Sequence, residues 1–360
     1  MSMTYPLLLL LLAYVINPFV GERNATFAFL LYLPQLLWLV PLVPFAAVSW
    51  RFGGRSFWIH PVALILFVIS GMGWRPGGLA AETPSVPGRT IKVMTFNRGQ
   101  HSSYSLQPFK NKEQPDVILL QEALRRTGNY RRAPGYKEFP YIQGSGEFIV
   151  LSKWPIVELK EIRSSKRVNF STATAEMRGA GNSEGGDLLA VRLQLELPEG
   201  IKFALYNVHF PTPRDALTAS QHGGFLWGLL GVSGTPMAKK RLVYESYWRQ
   251  RIKQAVDFIS QVEGDPLPTI IAGDFNMPSN GYIYRLFAEN WKDAHREAGS
   301  GFGYTFPGKT RNPFSLGRAW LRLDYIFSRG EWRVSSSTVG SGDQPQHRPL
   351  CAVLVYQPEA

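Results

Sequence analysis

The chain opens on three apolar runs separated by short charged turns. Residues 1–21 and 24–50 carry no charged side chain, and residues 56–74 hold only His60. A helix rises about 1.5 Å per residue, so roughly 20 residues cross a hydrocarbon core of about 30 Å. Three membrane spans are predicted, with two as the alternative. The middle run contains Pro34, Pro41 and Pro44 and is expected to be kinked, or to divide into a span and an interfacial piece. A signal peptide followed by buried helices fits less well. No Lys or Arg precedes the first Leu-rich stretch, and no small-residue cleavage pattern follows it.

Residues 75–89, RPGGLAAETPSVPGR, are rich in Pro, Gly and Ala and read as a linker. Beyond them the period shortens. Strand-length runs rich in Val, Ile, Phe and Tyr recur at 91–97, 115–123, 147–152, 187–197, 202–210, 269–276, 322–328 and 350–356. One clear amphipathic helix covers 239–262, with apolar positions at Leu242, Val243, Tyr247, Ile252, Val256, Phe258 and Ile259. Many strands with few helices predict a layered α/β domain built on a β-sandwich. The expected organisation is an anchor over 1–74, a linker over 75–89 and a domain over 90–360. Residues 164–186 read as a mobile polar insertion. Residues 220–236 carry an apolar centre, 225–232, that reads as a loop able to dip into a bilayer.

Charge adds orientation and partners. Residues 1–75 hold four Arg and one Glu, so +9 of the chain's +12 lies beyond them. A basic domain beside a membrane suits lipid head groups, polyphosphates or nucleic acid. Arg51 and Arg55 share one loop, whereas Arg23 is offset by Glu22. The Lys/Arg-rich loop stays cytoplasmic, which puts the domain outside a cell membrane. The single cysteine, Cys351, excludes an internal disulfide and reads as a buried strand residue.

Polar residues collect where the strands end: Asn97, Glu122, Asn207, His209, Asp274 and Asn276, with Asp324 and His347 beside two others. In the run TIIAGDFN a buried strand delivers a carboxylate and a carboxamide two positions apart. Side chains alternate along a strand, so the two were expected to share a face.

Seven short motifs in order, TFN, PDVILLQE, IVLSKWPI, YNVHF, AGDFN, RLDYIF and QHRPL, span residues 95–350. Together they resemble the endonuclease/exonuclease/phosphatase superfamily of metal-dependent phosphoesterases. The resemblance implies a four-layer α/β/β/α sandwich, two packed sheets flanked by helices, here preceded by a transmembrane helical anchor. It implies that Glu122 and Asn97 hold Mg²⁺, with Mn²⁺ as the alternative, and that Asp274 orients and deprotonates the attacking water. Asn276 would bond the phosphate or fix the nucleophile. His209 and His347 would donate to phosphoryl oxygens, with Asp324 bonded to His347. Position suggests Glu147 as the partner of His209. The superfamily usually has Asp where this chain has Gln346, and Asp343 could supply that carboxylate.

Among anchored members the architecture is similar to bacterial proteins associated with teicoplanin resistance. That similarity implies a phosphorylated or pyrophosphorylated lipid as substrate and the bilayer as partner. An anchored nuclease, with nucleic acid as substrate, is the alternative, and a non-catalytic receptor for phosphorylated ligands the third reading. No protein partner is inferred.

Overall fold

The computed structural model describes every residue except 1–2, 78–88, 100–104, 125, 170–172, 175–185, 218–229, 236, 312, 342–345 and 359–360. The insertion expected to be mobile and the apolar centre at 225–229 therefore lie largely outside the described residues, as does Asp343.

Three helical stretches, Thr4–Arg23, Gln35–Phe52 and Gly54–Gly71, are long and apolar enough to cross a membrane. Their regular cores are α1 (Thr4–Leu11), α3 (Leu42–Phe52) and α4 (Ile59–Leu66). Pro18 widens the end of the first into a π-helical stretch, Leu12–Val20. The middle run divides. Its first part is the separate helix α2 (Ala25–Leu31), capped by the Asn24 side chain on the N–H groups of Thr26 and Phe27. It ends before Pro34, which is disfavoured inside a helix because it has no N–H to donate. Trp50, Phe52, Trp58, Val43, Val62 and Ile65 stand exposed on the spans. Such a belt is costly in water and suits lipid.

Two six-stranded sheets form the domain. The first contains β2 (Thr90–Asn97), β3 (Val117–Gln121), β4 (Tyr141–Ser145), β5 (Phe148–Ser152), β13 (Trp332–Val339) and β14 (Leu350–Tyr356), in the order β13-β14-β2-β3-β5-β4. The second contains β6 (Glu158–Arg163), β7 (Leu188–Glu196), β8 (Lys202–His209), β9 (Thr269–Asp274), β10 (Lys292–Asp293) and β12 (Asp324–Arg329), in the order β10-β12-β9-β8-β7-β6. Their facing sides meet through Val93, Leu119, Val150, Leu193, Leu205 and Ile270. Central strands are apolar on both faces, because helices and loops cover the outer sides too. The helix α5 (Ala238–Glu263) and the shorter α6 (Tyr282–Ala288) cover the second sheet, where Phe258, Phe275, Phe287 and Phe327 interlock. Tyr136 and Phe139 cover the first. The result is the expected α/β/β/α sandwich.

Two residues of the stretch read as a linker are structured. Arg75 and Pro76 form a strand, β1, paired antiparallel with Ser300 and Gly301 of β11. Contact between anchor and domain goes further. Ala25, Ala28, Leu31 and Tyr32 are buried against Tyr244, Tyr247, Trp248, Leu321 and Leu323. The Glu22 carboxylate accepts the backbone N–H of Tyr282 at 2.6 Å and of Ile283 at 3.3 Å, satisfying donors that the first turn of α6 leaves unpaired. Sequence charge set Glu22 only against its neighbour Arg23; in the fold Glu22 is fully buried. The turn between the first two apolar helical stretches is thus packed on the domain, which follows the third.

Candidate active site

Register assembles the site. His209 ends β8 directly beside Asp274 at the end of β9, and Asp324 begins β12 directly on the other side of Asp274. Three adjacent strands therefore put His209, Asp274 and Asp324 in one row. In the facing sheet, parallel pairing aligns Asn97 with Gln121, and Glu122 follows at once. The ends of β2, β3, β8 and β9 all face one another across the sandwich. Gly273 permits the close approach. A Cβ there would lie 1.9 Å from the Val208 backbone oxygen, and its φ is +154°.

Asp274 is fully buried. Its Oδ2 accepts from Asn97 Nδ2 at 2.9 Å and from Asn276 Nδ2 at 3.2 Å, and its Oδ1 accepts from the Asn276 backbone N–H at 2.9 Å. Asn276 does not share a strand face with Asp274, as period two implied. The strand stops at Asp274, and Asn276 takes a left-handed backbone, φ +48°, that wraps it around the carboxylate. Its second contact is the Phe210 carbonyl at 2.9 Å. Asn276 thus braces Asp274, at a backbone cost that functional sites commonly carry. Glu122 has the same left-handed form, φ +50°.

Two histidines flank Asp274. His209 Nε2 lies 3.6 Å and His347 Nε2 3.5 Å from Asp274 Oδ2. Each ring is oriented by a carboxylate on its other nitrogen: His209 Nδ1 is 2.9 Å from Glu147 Oε1, and His347 Nδ1 is 2.8 Å from Asp324 Oδ2. Burial alone would lower both histidines. For His209 the hydrogen bond to Glu147 and the charges of Asp274, Glu147 and Glu122 outweigh it and raise the pKa to about 9. For His347 burial is outweighed by Asp324 first and Asp274 second, again giving about 9. Burial raises Asp274 above the usual carboxylate range, against the charges of the histidines.

The donor set fits a hard divalent cation. Glu147 and Asp324 are each paired with a histidine through its Nδ1, and the Asn97 amide lies between Glu122 and Asp274. Asn97 Nδ2 donates to Glu122 Oε1 at 3.1 Å as well as to Asp274. The centre holds four carboxylates, Glu122, Glu147, Asp274 and Asp324, against two histidines whose Nε2 atoms lie 3.5 to 3.9 Å from Asp274 and Glu122, and Asp324 Oδ1 is buried with no hydrogen-bond partner among the described residues. Mg²⁺ typically takes one or two carboxylates and keeps water in its other positions. Asn97 presents nitrogen to these carboxylates, while its Oδ1 accepts the Gly99 N–H at 3.0 Å. In this arrangement it braces the pair. Asp274, Asp324 and His347 form a second grouping, with one ligand atom each within 4.8 Å of the others.

Strand-end Asn207 plays no part in this centre. It is buried between the sheets, accepts from Gln121 Nε2 at 2.6 Å and donates to the carbonyls of Leu120 and Ile149.

Several wall residues carried no sequence signal. A cavity of about 500 Å³ reaches Glu122, Asp274, Asn276 and His347, and Phe29, Tyr32 and Leu33 of the anchor line it beside Phe306, Trp320 and Leu321 of the domain. The Tyr32 hydroxyl donates to the Asn276 carbonyl at 2.8 Å, as Arg251 Nη2 does at 3.0 Å. Trp320 Nε1 donates to the Tyr32 carbonyl at 3.1 Å. A tyrosine at the end of an apolar run, just before Pro34, reads as an interfacial aromatic; nothing local connects it to residue 276. Gln346, which stands where the superfamily has Asp, lines the same cavity.

The chain is similar to several solved structures. A Bacteroides vulgatus endonuclease/exonuclease/phosphatase shares 17% identity, covers 74% of this chain and 99% of its own, and superposes with a TM-score of 0.49. The human Nocturnin catalytic domain with bound sulfate shares 17% identity over 76% of this chain and 96% of its own, TM-score 0.46. A Bacteroides thetaiotaomicron mannosyl-6-phosphatase shares 16% over 74% and 100%, TM-score 0.46. No curated protein matches the chain. The Endonuclease/Exonuclease/phosphatase family description matches residues 110–344, well over half of the chain. With that match over a two-sheet sandwich whose strand ends gather Asn97, Glu122, His209, Asp274 and His347, the chain belongs to the endonuclease/exonuclease/phosphatase family of metal-dependent phosphoesterases.

Proposed function

We propose that the protein is a membrane-tethered, Mg²⁺-dependent phosphoesterase acting on a lipid-linked phosphate or pyrophosphate. The observation that supports this reading is the cavity's composition. Its floor is Glu122, Asp274, Asn276 and His347, and one wall is the anchor's own Phe29, Tyr32 and Leu33. A polar head with an apolar tail would meet charge at one end and aromatic and aliphatic surface along its side.

Roles follow from placement. Glu122 would hold the metal, with Asn97 positioning the carboxylates. A bound Mg²⁺ would neutralise phosphoryl oxygens and stabilise the leaving oxygen. Asp274, braced by Asn276 and Asn97, would align the attacking water and take its proton. His209 and His347, held protonated by Glu147 and Asp324, would donate to phosphoryl oxygens, and His347 also faces the cavity as an acid. The Arg51–Arg55 turn, opposite the domain, favours an extracytoplasmic catalytic side in a cell membrane. The extent of the units, an anchor over 1–74 and a catalytic domain over 90–360, forms part of the same proposal.

The test is phosphate release by the full-length protein in detergent with Mg²⁺, offered polyprenyl pyrophosphate, mixed phospholipids and plasmid DNA in parallel. Asp274→Ala serves as the blank. Turnover of a lipid substrate that vanishes in the blank is expected. Cleavage of DNA alone would sink the lipid reading and leave an anchored nuclease. Binding without turnover under any divalent metal would leave a receptor.

A further inference from the structure

A second cavity, of about 250 Å³, lies at the junction of anchor and domain and shares none of the first cavity's wall residues. Tyr14 and Ser70 come from the first and third spans, and Ser70 Oγ donates to Tyr14 Oη at 2.7 Å. From the domain side come four arginines, Arg75, Arg285, Arg296 and Arg322, and among the described residues no carboxylate lines the cavity.

Carboxylates nearby answer only part of this charge. Arg322 is buried and holds both oxygens of Asp293 through Nη1, at 2.8 and 2.6 Å. Arg285 Nη1 reaches Glu289 at 2.7 Å, while its Nε is buried with no partner. Arg75 and Arg296 have no carboxylate within ion-pair distance among the described residues; Arg75 donates only to the neighbouring Trp74 carbonyl, at 3.3 Å. Burial, then the charges of Arg296 and Arg322, hold Arg75 below its ordinary range. Four planar guanidinium groups around one recess, against the two carboxylates paired with them, Asp293 and Glu289, make a geometry suited to a tetrahedral oxyanion. The position adds a source. Arg285 stacks 4.4 Å over the Phe19 ring, which stands on the exposed apolar flank of the first span with Tyr14 and Val15. That flank would carry acyl chains, and the arginines stand where head groups would begin.

We propose that this recess, walled by Arg75, Arg285, Arg296 and Arg322, binds a phosphate mono- or diester anion distinct from the substrate, supplied by an anionic phospholipid head group or by free phosphate. The anion site stands independently of the proposed reaction; only its lipid source rests on the membrane reading.

The experiment is thermal unfolding of the full-length protein in neutral detergent, titrated with inorganic phosphate, short-chain phosphatidic acid and short-chain phosphatidylcholine. Wild type, Arg75→Gln/Arg296→Gln and Glu122→Gln are compared. Saturable stabilisation by phosphatidic acid, kept in Glu122→Gln and weakened about tenfold or more in the arginine pair, is expected, since one charge-assisted bond is worth about that factor. The zwitterionic lipid should stabilise less. Equal stabilisation by inorganic phosphate would assign a free anion as the source; phosphatidic acid alone would assign the head group. The rim variant Arg296→Gln, at an exposed residue, guards against misfolding of the pair and should weaken binding in the same direction. No saturable effect of either anion, or an effect unchanged in both arginine variants, would overturn the site. Hydrolysis of a soluble phosphomonoester should be equal in wild type and the arginine variants, so a failed site and a failed reaction are read separately.

Discussion

The hydroxyl of Tyr32 donates to the backbone oxygen of Asn276 at 2.8 Å, across 244 positions of the chain. Asn276 in turn donates to Asp274 from both its backbone and its side chain. The anchor therefore touches the proposed base at one remove. Tyr32→Phe keeps the ring and removes that bond. It should cost about 1 kcal/mol of stability and slow hydrolysis severalfold, with the loss in kcat rather than KM for a soluble substrate. Unchanged kcat would separate the anchor from catalysis.

Asp274→Asn keeps the shape and removes the base. Phosphate release should fall by about 10² to 10⁴-fold, the range for losing a positioned acid–base group. Circular dichroism should match wild type, which distinguishes lost chemistry from lost fold.

Metal removal should be reversible. Chelation is expected to abolish turnover and added Mg²⁺ to restore it. Glu122→Gln should need more metal for half-maximal rate, because the carboxylate proposed to hold the ion is gone. A metal requirement equal to wild type would move the ion to the Asp274–Asp324–His347 grouping.

The histidines give a pH prediction for the metal-free protein. With ¹³C-labelled histidine, His347 should titrate near 9, above its ordinary 6.5. Asp324→Asn should bring it down. A folded-state value above the unfolded one means that the pair stabilises the fold fully below about pH 6.5 and loses that contribution as pH rises through about 9. Titration near 6.5 in wild type would contradict the pairing.

Gly273→Ala should be among the most damaging single changes. The new Cβ would sit 1.9 Å from the Val208 oxygen, in the middle of the sheet row that carries His209 and Asp274. Unfolding midpoint and activity should fall together; a wild-type midpoint would mean that β8 and β9 can separate freely.

Strand positions and most residues of the candidate site were legible, because a buried strand announces itself by composition and a polar residue at its end stands out. The conformations were not. Asn276 follows Asp274 by two, yet period two fails where the strand ends and the backbone turns left-handed. Register, which puts Asp324 and His209 on either side of Asp274, is a property of pairing between strands far apart in sequence. Least legible was the junction. Glu22, a lone acid between two apolar runs, looked like a turn residue; its partners are the N–H groups of Tyr282 and Ile283, some 260 residues away. Charge counting sees only neighbours in the chain. Arg251 and Tyr32 escaped for the same reason.

The docking of Glu22 and Tyr32 also changes what kind of concentration the protein would respond to. A domain swinging on a free tether samples a hemisphere of solution. If the apolar helices cross a membrane as proposed, one fastened at the first interspan turn and again at β1 would hold its mouth at a single height and tilt above the bilayer. Its encounters would then be lateral, its rate set by the mole fraction of substrate in the surrounding leaflet, and dilution of the bulk phase would leave it untouched.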